Sequence, residues 1–341
     1  MTDLKSMLPE ELCEYMVSKG YPSFRGKQVY EWITKGVTDF SEMVNLPKSM
    51  REDLALECTL SCAKIVRKLV SKIDGTIKYL LEFEDGERVE TVFMRYKHGN
   101  SVCVSTQVGC RMGCRFCAST IGGLVRGLKA SEILEQILVC RRDTGEDVSN
   151  IVLMGIGEPL DNYENVLKFL RLVNDERGVG IGMRHISLST CGLVDKIDKL
   201  KEEKLGITLS VSLHAPSDEI RKQIMPIANK WGIDELLESC KRYSNATSRR
   251  ISYEYAMISG VNDSKECAEL LAKRLKGTLA HVNLIPVNSV TETGYKKSDA
   301  NTVKNFCDIL EKNGIAATVR RKLGSDINAS CGQLRRGEQK A

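Results

Sequence analysis

Apolar and polar positions along the chain fall into three regimes. Over residues 1–60 apolar side chains recur at helical spacing. PEELCEYMVSKG, YPSFRGKQVYEWITKG and NLPKSMREDLALEC each predict a helix, the second starting behind a proline and stopping at a glycine. Over residues 61–95 the period shortens. KIVRKLVSKIDG, TIKYLLEFEDG and ERVETVFMRYKHGN alternate or run β-branched between Asp-Gly and His-Gly-Asn breaks, which predicts a small antiparallel β-rich connector. Over residues 96–334 short apolar runs (VCVSTQ, NIVLMG, HISLST, ITLSVSL, ISYEYAMI, HVNLIPV and AATVRR) alternate with amphipathic stretches of about a dozen residues. That alternation predicts an α/β core, a parallel sheet with covering helices. Its six units suit a partial (β/α)6 barrel better than the closed eightfold one. An open doubly wound sheet has the same alternation, because strand order is invisible in sequence. In both architectures a site belongs at the C-terminal ends of the strands. Residues 335–341 read as a short basic tail.

Composition narrows the class. Of 341 residues, 42% are hydrophobic and 28% charged, ordinary globular values that exclude disordered and fibrous classes. No apolar run approaches the roughly 20 residues of a membrane span. MTDLKSMLPEELCEYM has no basic start, apolar core or small-residue cleavage site, so a cytoplasmic protein with no membrane partner is expected. A net charge of +5 permits a nucleic-acid partner without requiring one.

Thirteen cysteines are many for such a chain. Cys13, Cys58, Cys62, Cys140, Cys240, Cys267 and Cys307 sit singly or loosely paired and read as small core residues. GCRMGCRFCAST, directly after the first strand of the βα region, is different. Cys110, Cys114 and Cys117 in C-x3-C-x2-C spacing bring three thiolates onto one short loop. A [4Fe–4S] cluster usually takes four cysteines, so three would leave one iron open to a small molecule. A zinc site borrowing a distant fourth ligand is the alternative.

This triplet after the first strand of a partial barrel, with Phe116 before its last cysteine, resembles the radical S-adenosylmethionine superfamily. MGIGEPLDN (154–162), HISLSTCG (185–192), SVSLHAP (210–216), HVNLIPVN (281–288) and GSDINASCGQL (324–334) narrow the resemblance over nearly the whole chain. Together they resemble the radical enzymes that methylate carbon 2 of adenine in 23S rRNA and tRNA. Ser330 stands where that family usually has alanine, and Pro159 stands where the carbon-8 sister group has alanine.

The resemblance implies the following. Cys110, Cys114 and Cys117 hold one [4Fe–4S] cluster, and its open iron chelates S-adenosylmethionine. Gly157, Glu158, Ser189, Ser212, Leu213, His214 and Asn288 contact that cofactor, at or just after strand ends. Cys331 accepts a methyl group, a radical removes hydrogen from it, and the carbon adds to the base. Glu90 removes the ring proton, and Cys103 then attacks the Cys331 sulfur, ending in a transient disulfide. A carrier thiol makes chemical sense because carbon 2 of adenine cannot attack a sulfonium methyl, whereas a thiolate can. Read on their own residues, Glu158 is also a helix-start carboxylate, Glu90 a solvated strand-end carboxylate, His214 a core histidine, Cys103 a core thiol and Cys331 a loop thiol. His98, His185 and His281 read as structural or surface residues.

The expected partners are 23S rRNA, tRNA and an electron donor such as flavodoxin or ferredoxin, with the chain a monomer. Arg111, Arg115, Arg126 and Lys129 near the cysteine loop, Arg320, Arg321 and Lys322, and Lys340 in the tail are candidate phosphate contacts. Arg25, Lys27, Lys48 and Arg51 make the N-terminal helices a candidate RNA-docking module. Competing readings are carbon-8 methylation, a metal-stabilised RNA-binding module without turnover, and a radical enzyme acting on a protein or small molecule.

Overall fold

The computed structural model describes residues 1–288, 290, 292 and 294–335. The expected basic tail therefore lies, beyond Arg335, outside the described residues. The chain opens with strand β1 (Thr2–Asp3) and three helices, α1 (Pro9–Ser18), α2 (Phe24–Lys35) and α3 (Lys48–Glu57). Strand β2 (Cys58–Thr59) returns to pair in parallel with β1. Helix α2 stops where Gly36 turns left-handed at φ 84°, a conformation that costs glycine nothing. The antiparallel strands β3 (Lys64–Val70), β4 (Ile77–Glu82) and β5 (Arg88–Met94) follow.

The βα region begins with β6 (Ser101–Cys103), then the hairpin β7 (Gln107–Gly109) and β8 (Leu124–Gly127), then α4 (Ala130–Thr144). It continues as β9 (Asn150–Leu153), α5 (Tyr163–Asn174), β10 (Ile186–Thr190), α6 (Val194–Glu202) and β11 (Thr208–Ser212). Two helices, α7 (Asp218–Ile224) and α8 (Ile233–Thr247), precede β12 (Ile251–Met257). Helix α9 (Lys265–Leu275), β13 (Ala280–Pro286), α10 (Ala300–Lys312) and β14 (Ala316–Val319) complete it.

Among the described residues ten strands form one sheet in the order β14-β13-β12-β11-β10-β9-β6-β5-β4-β3. From β6 to β14 every pairing is parallel and each new strand is added on the same side. A doubly wound sheet would reverse direction once, so that alternative is excluded and the partial barrel stands. The antiparallel connector expected over residues 61–95 is present and joins the same sheet. Strand β5 pairs antiparallel with β6, matching Val92 to Cys103, and so carries the barrel sheet outward. The apolar run VCVSTQ also behaves differently from a single strand: β6 stops at Cys103, and β7 turns out to pair with β8. A β-carbon at Gly109 would sit 2.0 Å from the Gly123 carbonyl oxygen, so only glycine permits this hairpin, which displays the cysteine loop between its strands.

Helices cover the sheet through apolar stripes. On α5 the side chains of Val166, Phe169, Leu170 and Val173 are buried, each contributing about 1.5–3 kcal/mol by leaving water. The N-terminal helices are tied to this core by a charged pair, the Lys5 ammonium on Glu135 at 2.7 Å, both fully buried. Arg142 takes the other Glu135 oxygen at 2.5 Å, so the buried carboxylate is compensated twice.

Candidate active site

Two adjoining cavities open where the parallel strands end. The first is walled by the cysteine loop, the turn after β9, and the ends of β10, β11 and β13. Of the sequence-derived candidates, Cys110, Cys114, Cys117, Gly157, Glu158, Ser189, Ser212, His214, Asn288 and Cys331 line it. The second cavity is walled by Cys103, Tyr96 and the C-terminal loop. Met154, Ile285, Asn288, Arg320 and Cys331 line both, so the Cys331 side of the loop is the partition between them. All cysteines are free thiols.

Backbone constraints shape the first cavity. A β-carbon at Gly155 would meet the Val104 carbonyl at 2.6 Å, and Gly157 is left-handed (φ 108°) with Gln107 at 2.6 Å from its missing β-carbon. Those glycines let the turn after β9 lie flat against the first strand. Glu158 follows, buried, its Oε2 accepting the Cys191 N–H at 2.7 Å and its Oε1 the Leu160 N–H at 3.0 Å. Burial pushes its carboxyl up, and the Cys191 amide opposes this. Each oxygen keeps a further lone pair for a cationic ligand.

His214 is held in the left-handed region (φ 56°), its Nδ1 accepting the Ala256 N–H at 2.9 Å. Its ring meets Phe116 edge-on at 4.9 Å. Burial, reinforced by the Arg221 charge, lowers it to about 3, so it is neutral. With Nδ1 an acceptor, the proton sits on Nε2 and makes that nitrogen a donor. Leu213, expected as a cofactor contact, lines neither cavity. It is fully buried, its amide donating to the Glu254 carbonyl and its own carbonyl accepting from Arg221, each at 3.1 Å.

Burial pushes the Cys110 thiol up to about 12 and raises Cys114 and Cys117 as well, with neighbouring thiols adding to the shift at Cys114. Such thiols keep their protons until a metal displaces them. Among the described residues no three of His, Cys, Asp and Glu are drawn together as a single metal ion requires. Three thiols facing one cavity, Cys110 buried and Cys114 and Cys117 half-buried, with apolar Met112 and Phe116 between them in sequence, fit a larger iron–sulfur cluster.

The C-terminal loop carrying Cys331 is fastened on several sides. The Ala118 amide donates to the Gly332 carbonyl and Ser119 Oγ to the Leu334 carbonyl, both at 2.8 Å. Asn288 Nδ2 donates to the Cys331 carbonyl at 3.0 Å. From the antiparallel extension, Ser71 Oγ (2.7 Å) and the Lys72 amide (2.9 Å) donate to Asp326, while Asp74 accepts the Gly324 amide at 2.9 Å. Lys78 Nζ reaches the Asn328 carbonyl at 3.2 Å and Glu90 Oε1 at 2.9 Å.

Glu90 lines neither cavity. It stands two residues from Val92, the partner of Cys103, so β5 presents both positions on the Cys103 face of the sheet. Its Oε2 accepts the Arg335 amide at 2.8 Å, immediately after the cavity residue Leu334. Burial raises its carboxyl while Lys78 pulls it down. Cys103, buried beside Cys331, is pushed up to about 12 by burial and then by Cys331, with Arg320 opposing.

Several site residues escape a reading of the sequence. Arg320, expected as a phosphate contact, instead faces inward, with Glu254 at 3.7 Å and the Met154 sulfur at 3.3 Å. Glu254 is a carboxylate inside the apolar run ISYEYAMI, a mismatch that marks a buried polar function. Cys191 lines the first cavity from STCG with no signal beyond being one more cysteine. Of the basic residues near the cysteine loop, Arg126 is engaged by Asp85 (2.6 Å) and Glu132 (2.7 Å) and Arg111 by Asp161, while Arg115 and Lys129 are exposed. His98, His185 and His281 line neither cavity.

Comparison with known proteins agrees with this geometry. Residues 104–271 match the model of the radical SAM superfamily, and residues 2–60 match the ribosomal RNA large subunit methyltransferase N-terminal domain. A protein of Clostridium tetani named probable dual-specificity RNA methyltransferase RlmN is 54% identical over 98% of this chain and 96% of its own. One of the same name from Clostridium botulinum is 57% identical over 96% of this chain and 94% of its own. The crystal structure of a radical SAM methyltransferase from Sphaerobacter thermophilus superposes with a TM-score of 0.94 at 41% identity, covering 98% of this chain and 99% of that one. The chain belongs to the RlmN family of the radical SAM superfamily, and is an S-adenosylmethionine-dependent methyltransferase that works with a [4Fe–4S] cluster.

Proposed function

We propose that this enzyme methylates carbon 2 of adenosine in 23S rRNA and in tRNA by way of a methyl group carried on Cys331. The observation that carries the reading is the position of Cys331 on both cavities, one holding the cysteine triplet and the other holding Cys103. In this reading Cys110, Cys114 and Cys117 hold the cluster, which supplies the electron that turns S-adenosylmethionine into a hydrogen-abstracting radical. Gly157, Glu158, Ser189, Ser212, His214 and Asn288 seat the cofactor, with the carboxylate on its ammonium and His214 Nε2–H as a neutral donor. Leu213 acts behind them, by holding the end of β11.

The chain's own residues do the rest. The Cys331 thiolate takes a methyl from one S-adenosylmethionine, and the carbon, relieved of one hydrogen by a second, bonds to the ring. Glu90 takes the ring proton. Its geometry suits a base because the Lys78 ammonium and Arg335 amide hold the carboxylate still on the Cys103 side of the sheet. The adduct's odd electron would return to the oxidised cluster, and Cys103 Sγ then bonds to Cys331 Sγ as the carbon–sulfur bond breaks, its electron pair and a proton from solvent completing the methyl group on the released RNA and leaving a disulfide for reduction. An adenine must leave its stack to enter such a recess, and the N-terminal helices 1–60 serve as the RNA-docking module. A flavodoxin or ferredoxin supplies the electrons, and the enzyme acts as a monomer.

Carbon-8 methylation is the second reading, and Pro159 favours carbon 2 over it. The test is mass spectrometry of nucleosides from rRNA and tRNA incubated with the reconstituted enzyme and methyl-deuterated S-adenosylmethionine. The expected product is 2-methyladenosine with two deuterons from the donor methyl. Three retained deuterons would mean direct transfer, and 8-methyladenosine would decide for the second reading.

A further inference from the structure

Behind the wall of the first cavity lies a charge without a partner. Arg221 on α7 is fully buried. Its Nε donates to the Leu213 carbonyl at 3.1 Å, and its Nη2 donates to the carbonyls of Cys191 at 2.7 Å and Ser212 at 3.3 Å. Those are neutral acceptors. Among the described residues its hydrogen bonds go only to those carbonyls, and Nη1 has no hydrogen-bond partner at all. Gly192, left-handed at φ 102°, packs beside it, where a β-carbon would meet Leu236 at 2.9 Å and Nη2 at 3.3 Å. A buried, uncompensated guanidinium is among the costliest arrangements a core can hold, and proteins keep one where an anion arrives to meet it. The ionisable groups that act on it most strongly are the thiols of Cys191 and Cys114, then Asp218.

We propose that Arg221 is the buried counter-charge of the thiolate-bound iron–sulfur cluster, a positioning residue that favours the cluster's reduced state and helps retain its iron. The inference rests on the reading that Cys114 is a cluster ligand. It works through charge alone: three thiolates give the loaded site negative charge, reduction adds one more, and a fixed cation in a low-dielectric wall stabilises the reduced form more than the oxidised one.

The experiment compares anaerobically reconstituted wild type, Arg221→Met and Arg221→Lys by redox titration followed by electron paramagnetic resonance. Arg221→Met should reduce at a more negative potential and lose iron to a chelator several-fold faster, and Arg221→Lys should restore the potential although it cannot span all three carbonyls. Arg221→Met with full iron and an unchanged midpoint potential overturns the proposal. Thermal unfolding gives an independent reading. Because the charge is uncompensated until the cluster arrives, Arg221→Met should weaken the loaded protein more than the apoprotein. Equal loss in both is the signature of the carbonyl ties alone and also overturns it. If Arg221→Met does not accumulate, Arg221→Gln, which keeps a donor for the Leu213 carbonyl, replaces it. Failure of both as apoproteins counts against the proposal, since the apoprotein should tolerate loss of the charge. Failure of the underlying reading looks different: Cys114→Ala would keep a normal iron content.

Discussion

Replacing Lys78 by methionine isolates one buried charge beneath the C-terminal loop. Lys78 pairs with Glu90 at 2.9 Å, both side chains about nine-tenths buried, and also binds the Asn328 carbonyl. Methionine fills the space and leaves the carboxylate uncompensated. Breaking such a pair by removing one partner costs about 3–5 kcal/mol. Protonation limits that cost, and the limit depends on pH. Glu90 is already raised above its ordinary 4.5 by burial, and Lys78 is the foremost group pulling it back. With Lys78 gone the folded-state carboxyl titrates higher still, so folding favours its protonated form. Stability tied to that proton is present below the unfolded value and lost as pH rises through the folded one. Holding a carboxyl of ordinary value 4.5 protonated at about pH 7.5 costs about 4 kcal/mol, at about 1.4 kcal/mol per pH unit, and that caps the loss. Lys78→Met should therefore unfold at much lower denaturant than wild type at about pH 7.5, and differ far less at about pH 5. Adding Glu90→Gln should recover most of the loss. A Lys78→Met deficit that is the same at both pH values, or that survives Glu90→Gln, refutes the reasoning.

Three further outcomes follow from the site. Cys103→Ala should accumulate a covalent protein–RNA adduct, seen as a nuclease-sensitive shift on a denaturing gel, whereas Cys331→Ala should form neither methylated protein nor adduct; the reverse pattern would exchange the two roles. Gly157→Ala places a β-carbon 2.6 Å from Gln107 at φ 108°, so a loss of about 2 kcal/mol or more and weakened S-adenosylmethionine binding by equilibrium dialysis are expected. Wild-type binding there would show that the turn can shift at no cost. Asp326→Ala removes two ties to the C-terminal loop, so Cys331 should alkylate faster with the global unfolding midpoint unchanged, and equal alkylation rates would mean the remaining ties suffice.

The strand-and-helix alternation was legible because a covered parallel strand writes a short apolar run, and seven such runs alternate with amphipathic helices. Strand order was not, since periodicity says what a segment buries and nothing about its neighbour. The hairpin β7–β8 was not visible just past VCVSTQ because its turn away from the sheet depends on Gly109 and Gly123 meeting in space. Cysteine spacing exposed the triplet, whereas Cys103 and Cys331 were linked by resemblance alone. Lys78 and Arg221 were missed for one reason: a charged residue in a strand or helix reads as solvent-facing, and only packing reveals it as buried. Leu213 shares a motif with Ser212 and His214 yet lines neither cavity, its backbone tied to Glu254 and Arg221.

The fastening of the Cys331 loop bears on the order in which the molecule assembles. Its ties to Asp74 and Lys78 join positions 250 residues apart, and closing so long a chain from the unfolded state costs about 5 kcal/mol in entropy, with each hydrogen bond returning only about 1. Those bonds cannot hold until the sheet has already brought the two ends together. The barrel therefore folds first and the loop docks onto it as a late, separable step. Under rising denaturant the sequence reverses, and the Cys331 thiol detaches while the sheet beneath it is still intact.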